Sequence, residues 1–226
     1  GAGDGSAILR MHSKGKLVIC DTVKMKRGKF VFEGETPCVG FALVTVVPEG
    51  KESVQMRLAL ENSKIEMKGD WKNVGMDEEE ELVVKGMTVT GSKNNDVNEE
   101  IGKQWKVVET LPGFTKYAEL AKKVQDNPEI LEDTTFYWVY RKEFDAYMAR
   151  VKEEQLKIIV ANPSVETAAY QLYFMMNEMP LEQLEQIFGL FDEKVGESEL
   201  ASEVRACIEL RQRIEPGRPA PEFTLA

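Results

Sequence analysis

The residues with the most specific chemistry in this sequence are three cysteines and a single histidine: Cys20, Cys38, Cys207 and His12. Thiol–disulfide catalysis needs two nearby thiols, most often spaced Cys-x-x-Cys, and a zinc site needs three or four suitably spaced Cys and His ligands. Neither spacing occurs here. His12 stands beside Ser13, but no nucleophile motif accompanies it, which favours an incidental histidine. We therefore assign no catalytic residue, no metal ligand and no cofactor to the chain.

Cys20 and Cys38 lie on either side of a predicted hairpin, and two interpretations stay open for them. If their strands are neighbours and the chain folds in an oxidising compartment, the two thiols form a disulfide. Otherwise both are buried free thiols. Cys207 lies on the apolar face of a predicted helix, where we expect it to act as a small hydrophobic side chain.

Two other patterns invite a functional interpretation, and a structural one is favoured for each. The acidic run at residues 77–81 lacks the alternating oxygen ligands of a calcium loop, which favours a solvated loop. Aromatic and methionine side chains of the second half could line a binding groove, but at helical spacing they are typical of a core. These side chains are Tyr137, Trp138, Tyr140, Phe144, Tyr147, Met175, Met176 and Met179.

Composition and charge exclude several classes of protein. The chain has 226 residues and a net charge of −10, which disfavours binding to phosphate backbones or anionic lipid. Its longest apolar stretch, residues 41–47, is far shorter than the roughly 20 residues that cross a membrane as a helix. We therefore expect neither a nucleic-acid partner nor a membrane-spanning segment.

The first half is punctuated by glycines and carries short segments with the period-2 alternation of strands. It predicts a hairpin in which Arg27 and Gly28 form the turn and Phe30 and Phe32 lie on one face of the returning strand. Further strands are predicted at residues 16–20, 41–47, 54–60, 65–67, 82–84 and 87–89. Many short strands separated by turns indicate an antiparallel β-sandwich, which we assign to residues 1–112.

The second half changes to helical periodicity and contains 14 of the 19 aromatic residues. Residues 113–215 are predicted to form an all-α domain or linker, so the expected fold class is α+β. Helices are predicted near residues 114–125 and 128–161, after Pro163, after Pro180, and at residues 198–213. The apolar seam of the long helix predicts self-association, because it exceeds what one bundle covers.

The order of several short motifs resembles a family of bacterial envelope proteins. Residues 216–226, with the string G-x-P-A-P-x-F-T-L, are similar to the opening of a thioredoxin-like domain of the thiol–disulfide oxidoreductase and redoxin class, the TlpA/ResA-like and AhpC/TSA relatives. Residues 28–34, 60–65 and 89–94 resemble the β-sandwich of unknown function that precedes this domain. Residues 162–170 are similar to its linking helices. A complete sandwich of this kind begins with an extra first strand. In this sequence only residues 7–11 could form that strand.

The resemblance implies that the chain is the non-catalytic N-terminal region of such an oxidoreductase, truncated at the start of its thioredoxin-like domain. The parent protein would act in the periplasm or cell envelope on protein thiol or disulfide partners, with its leader absent from this sequence. The catalytic dithiol maps onto none of the three cysteines, so this chain alone is not expected to be an enzyme. The alternative is a ligand- or peptide-binding module unrelated to redox chemistry.

Overall fold

A computed structural model describes residues 3–13, 16–36, 39–77 and 81–214. The contacts divide the chain into two compact units, Gly1–Asp96 and Val97–Ala226. The first is rich in strands and the second is helical, which confirms the mixed α+β class.

Eight strands lie in the described part of the first unit: β1 (Gly5–Ser13), β2 (Lys16–Met25), β3 (Gly40–Pro48), β4 (Val54–Leu60), β5 (Glu66–Lys68), β6 (Val74–Met76), β7 (Leu82–Val84) and β8 (Thr88–Thr90). Six form one sheet in the order β2-β1-β3-β4-β7-β6, and β5 and β8 form a two-stranded ribbon. The pairs are antiparallel except β4 with β7, which is parallel and meets only at Gln55 and Val83. The strand offered by residues 7–11 is confirmed as β1.

One face of the large sheet carries the core of this unit. Period-2 alternation places Ala42, Val44 and Val46 of β3 on that face, and Val54, Met56 and Leu58 of β4 join them. Ile65 and Met67 pack onto the same face from the small ribbon. The predicted sandwich is not confirmed, because the second sheet consists of two strands of three residues each.

The predicted hairpin around Phe30 and Phe32 is half correct. The turn forms, and one bridge between Lys26 and Lys29 closes it, but the described residues that follow, 30–36, form no strand. Both phenylalanines still pack against the core, with ring centroids 5.6 Å apart in an edge-to-face arrangement. Period-2 alternation describes any extended segment, and it does not specify whether a neighbouring strand is present to form hydrogen bonds.

Seven helices are present in the described residues: α1 (Lys93–Glu109), α2 (Thr115–Asp126), α3 (Thr134–Ala161), α4 (Glu166–Met175), α5 (Leu181–Phe188), α6 (Glu193–Gly196) and α7 (Glu199–Arg213). The five predicted helices correspond to α2, α3, α4, α5 and α7. Both α1 and α6 are additional, and the boundary between the units lies within α1. In α3, the side chain of Asp133 caps the first turn by accepting from the backbone N–H groups of Thr135 and Phe136.

The helical unit has a main core and a smaller aromatic one. Leu172 of α4, Leu184 of α5 and Val204 of α7 are fully buried in the main core, together with Ile159 of α3. The smaller core surrounds Val108, Tyr147 and Val151. None of the helices in the described residues is both long enough and apolar enough to cross a bilayer.

Candidate functional site

A cavity of about 560 Å³ opens on the core side of the large sheet, and we call it the Trp71 cavity. Its apolar lining comes from four strands of that sheet, through Met25, Val46, Val54, Met56 and Val84. Phe30, Met67 and Trp71 line it from the segments that lie over the sheet. Its volume is typical of small-molecule and side-chain binding sites, and its exposed lining is shared between apolar side chains and polar groups.

A tight turn places Arg27 and Gly28 in the lining of the cavity. Both residues have positive φ angles, +52° and +75°, as the two central positions of a type I′ hairpin turn require. The backbone N–H of Arg27 donates to Oδ1 of Asp4 at 2.8 Å, and the N–H of Gly28 donates to the carbonyl of Gly3 at 2.6 Å. Since arginine adopts this conformation at a cost, the turn is held by these bonds and not by residue preference.

A short 3-10 turn, Trp71–Asn73, presents the indole ring. The side chain of Asp70 caps this turn by accepting from the N–H of Lys72 at 3.0 Å. The carbonyl of Asn73 accepts from the N–H of Lys85 at 2.9 Å, which ties the turn to the segment after β7. Lys51 Nζ lies 5.2 Å from the centre of the Trp71 ring, within the range of a cation–π interaction.

Two cations, Arg27 and Lys68, and one carboxylate, Asp70, line the cavity. Lys26, Arg27 and Lys29 stand exposed on one turn, and their side chains have neither an ion pair nor a hydrogen bond within the described ranges. Lys68 also lines the cavity, with its Nζ 3.4 Å from a carboxylate oxygen of Glu66. Hydrogen bonding and charge attraction from Lys68 and Lys64 hold the pKa of Glu66 below its usual value.

The first unit corresponds to a known domain family. Residues 1–98 match the model of a domain of unknown function, DUF4369, and this range ends within a few residues of the unit boundary after Asp96. These residues form a DUF4369 domain. No curated protein and no solved structure matches the chain.

The cysteines predicted to pair are only partly described. Cys20 is exposed on β2 of the DUF4369 domain, where the register between β1 and β2 shifts by one residue, so the expectation of a buried thiol is wrong for Cys20. Cys38 lies outside the described residues, so the pairing of these two cysteines stays open. Cys207 is half-buried against the main helical core, as predicted for a small hydrophobic side chain.

Other sequence candidates have structural roles where the chain is described. His12 lies in β1. Of the acidic run, residues 78–80 lie outside the described ranges, and Glu81 pairs with Arg57 across 2.9 Å. The N–H of Glu81 donates to Oδ1 of Asp77 at 2.9 Å. In the described part of the chain, His, Cys, Asp and Glu side chains form no group of three that could hold a metal ion.

The aromatic residues of α3 divide between core and surface. Tyr147 is buried, stacks on Tyr117 with ring centroids 4.1 Å apart, and donates its hydroxyl to the carbonyl of Trp105 at 2.8 Å. Burial, with the neighbouring phenol of Tyr140, raises the pKa of Tyr117 to about 12. Trp138, by contrast, is 65% exposed. The structural interpretation is therefore confirmed for Tyr147 and wrong for Trp138.

The methionines Met175, Met176 and Met179 pack against the main helical core, as predicted. The sequence assigned no binding role to Arg27, which was expected only as part of a turn, or to Trp71. The two residues lie on separate turns 44 positions apart along the chain. The sequence carries one signal for this site, namely the basic cluster at residues 24–29 in a chain with a net charge of −10.

Proposed function

We propose that this chain is the non-catalytic N-terminal region of an envelope thiol–disulfide oxidoreductase, in which the DUF4369 domain binds a protein partner. The helices would connect that domain to a C-terminal thioredoxin-like domain. In this proposal the six-stranded sheet and the β5–β8 ribbon act as the two layers of a sandwich scaffold within residues 1–112. The parent protein would work in the periplasm or at the cell envelope.

The Trp71 cavity is the observation that carries the binding role. It joins apolar side chains to exposed cations, a combination that suits recognition of a partner, and its lining residues include no paired nucleophile and base. No cysteine is among its lining residues. Binding at this site would hold a partner while a separate dithiol reacts with it.

The redox part of the proposal rests on residues 216–226, whose string resembles the opening of a redoxin domain. It predicts that the parent gene encodes a Trp-Cys-x-x-Cys motif within a few dozen codons after Ala226. Sequencing the gene beyond this point is the direct test, and absence of the motif would refute the redox role.

A kinetic test separates binding from chemistry in the parent protein. Replacing Trp71 by Ser should lower kcat/KM for a protein disulfide such as insulin and leave the reduction of a small aromatic disulfide unchanged. Equal loss with both substrates would contradict the binding role. Thiol-dependent turnover by residues 1–226 alone would contradict the assignment of this chain as non-catalytic.

A second candidate function is a ligand- or peptide-binding module without redox chemistry. It is favoured by the position of the cavity, which lies wholly within the DUF4369 domain. A gene without the dithiol motif, together with saturable binding at Trp71, would select this alternative.

A further inference from the structure

We infer that the Trp71 cavity binds an acidic peptide segment, in which an apolar side chain enters the cavity and flanking carboxylates pair with Arg27 and Lys68. The inference deepens the binding role proposed above and rests on it. It specifies the chemistry of the partner, which the proposed function leaves open.

The lining of the cavity defines the apolar part of the ligand. Phe30 and Trp71 offer partly exposed aromatic surfaces and Met67 a partly exposed thioether, whereas Met25 and Met56 are buried in the core, at 2% and 9% exposure. Methionine adapts to side chains of different shape, and its sulfur makes favourable contacts with aromatic rings. A phenylalanine or leucine side chain therefore fits the lining better than a polar one.

The charges define the remainder of the ligand. Three carboxylates lie near these cations: Glu66 pairs with Lys68 at 3.4 Å, Asp70 lines the cavity and accepts from the N–H of Lys72, and Asp4 accepts from the N–H of Arg27. The guanidinium of Arg27 has no partner within the described ranges and is suited to bind a carboxylate through two parallel hydrogen bonds. Arg27, with the exposed Lys26 and Lys29 beside it, therefore supplies positive charge for an anion, although the chain as a whole is acidic.

The placement of the cations favours a peptide over a single small carboxylate. Arg27 follows β2 and Lys68 ends β5, so the charges belong to two different elements of the rim. Gly28 and Gly86 also line the cavity, where their positive φ angles belong to tight turns, and Gly69 packs against Val84. A segment with acidic residues on both sides of an apolar one matches this arrangement.

The experiment is a fluorescence titration of the 226-residue chain carrying Trp105→Phe and Trp138→Phe, so that Trp71 is the only indole. The probe is the blocked pentapeptide Glu-Glu-Phe-Glu-Glu, and the matched peptides are Glu-Glu-Ala-Glu-Glu and Lys-Lys-Phe-Lys-Lys. We expect saturable binding of the first, binding about tenfold weaker without the aromatic ring, and none of the basic peptide. Added salt should weaken the binding.

Variants of one residue test the role of charge. Arg27→Gln should weaken binding of the acidic peptide about fivefold to tenfold, and Arg27→Lys should weaken it less. Lys106→Gln, which removes an exposed cation from α1, is the matched control and should leave binding unchanged. A urea unfolding curve for each variant verifies that the domain is folded.

The outcomes distinguish the inference from the proposed function. Equal binding of the basic and acidic peptides, or no effect of Arg27→Gln, would overturn the acidic-peptide inference and leave a binding role in place. Saturation by decanoate with no response to the acidic peptide would overturn the inference in favour of a small amphiphile. If none of these probes changes the Trp71 signal, the inference fails, and the kinetic test on the parent protein then decides the binding role separately.

Discussion

The side chain of Asn95 forms the hydrogen bonds that a neighbouring strand would otherwise make with the end of β4. Removing this side chain should destabilise the DUF4369 domain. Its Oδ1 accepts from the N–H of Ala59 at 2.8 Å, and its Nδ2 donates to the carbonyl of Ala59 at 2.7 Å and to Oγ of Ser92 at 2.8 Å. Ala59 is fully buried, and β7 pairs with β4 only at Gln55. The Asn95 amide thus satisfies two backbone groups that water cannot reach.

The magnitude of the loss follows from these bonds. In Asn95→Ala, one buried N–H and one buried C=O of Ala59 lose their partners, at about 1–3 kcal/mol each. We expect the free energy of unfolding to fall by about 3–4 kcal/mol in total. With a urea m-value of about 2 kcal/mol/M for a domain of this size, the unfolding midpoint should fall by roughly 1.5–2 M. The emission of Trp71 reports this transition in the background without the other two indoles.

Asn62→Ala is the matched control, because Asn62 makes the same pair of bonds to the backbone of Thr36, both at 2.8 Å. Asn62 is exposed and its two bonds are only partly buried, since Thr36 keeps 9% of its surface exposed and Ala59 none, so we expect a smaller loss of about 1 kcal/mol. A loss for Asn95→Ala no larger than that of the control would refute the reasoning that burial of Ala59 sets the cost.

Four further predictions concern the turn, the helical core, its tyrosines and self-association. Arg27→Asn should raise the free energy of unfolding by about 1 kcal/mol in urea, because asparagine tolerates a positive φ better than arginine, and a lower midpoint would contradict this. Leu184→Ala should lower the free energy of unfolding of the helical unit by about 2–5 kcal/mol, because Leu184 is fully buried. Leu190 is 51% exposed, so Leu190→Ala should change that free energy by less than about 0.5 kcal/mol. In a titration followed by phenolate absorbance, Tyr117 should ionise with a pKa near 12, above the pKa of about 10 for a tyrosine in an unfolded chain. The free energy of unfolding should therefore fall as the pH rises from about 10 to about 12, and Tyr117→Phe should reduce that fall. Light scattering should give the unsubstituted chain a mass above that of one copy, and the Trp138→Glu variant the mass of a monomer. A monomeric mass for the unsubstituted chain would contradict association through α3.

Helices and strands with a regular spacing of apolar residues were predictable from the sequence. Elements that depend on contacts with distant segments were not. Helix α3 was foreseen because its apolar residues recur every three or four positions through residues 137–158. Helix α1 was missed because residues 89–94 were interpreted as part of the sandwich. A signal for it exists, since Ser92 caps its first turn by accepting from the N–H of Asn95, and Val97, Ile101 and Val108 lie on one face.

The sequence by itself determined the change from strands to helices and the presence of three cysteines and one histidine. These properties depend on residue type and local spacing, which a linear chain displays directly. Only the tertiary structure decided that residues 30–36, which follow the Arg27–Gly28 turn, join neither sheet and that Asn95 bonds to the backbone of β4. It also decided that Arg27 and Trp71, 44 positions apart, line one cavity. The physical reason is that pairing and enclosure depend on which distant segments meet across the sheet, and local periodicity carries no information about those partners.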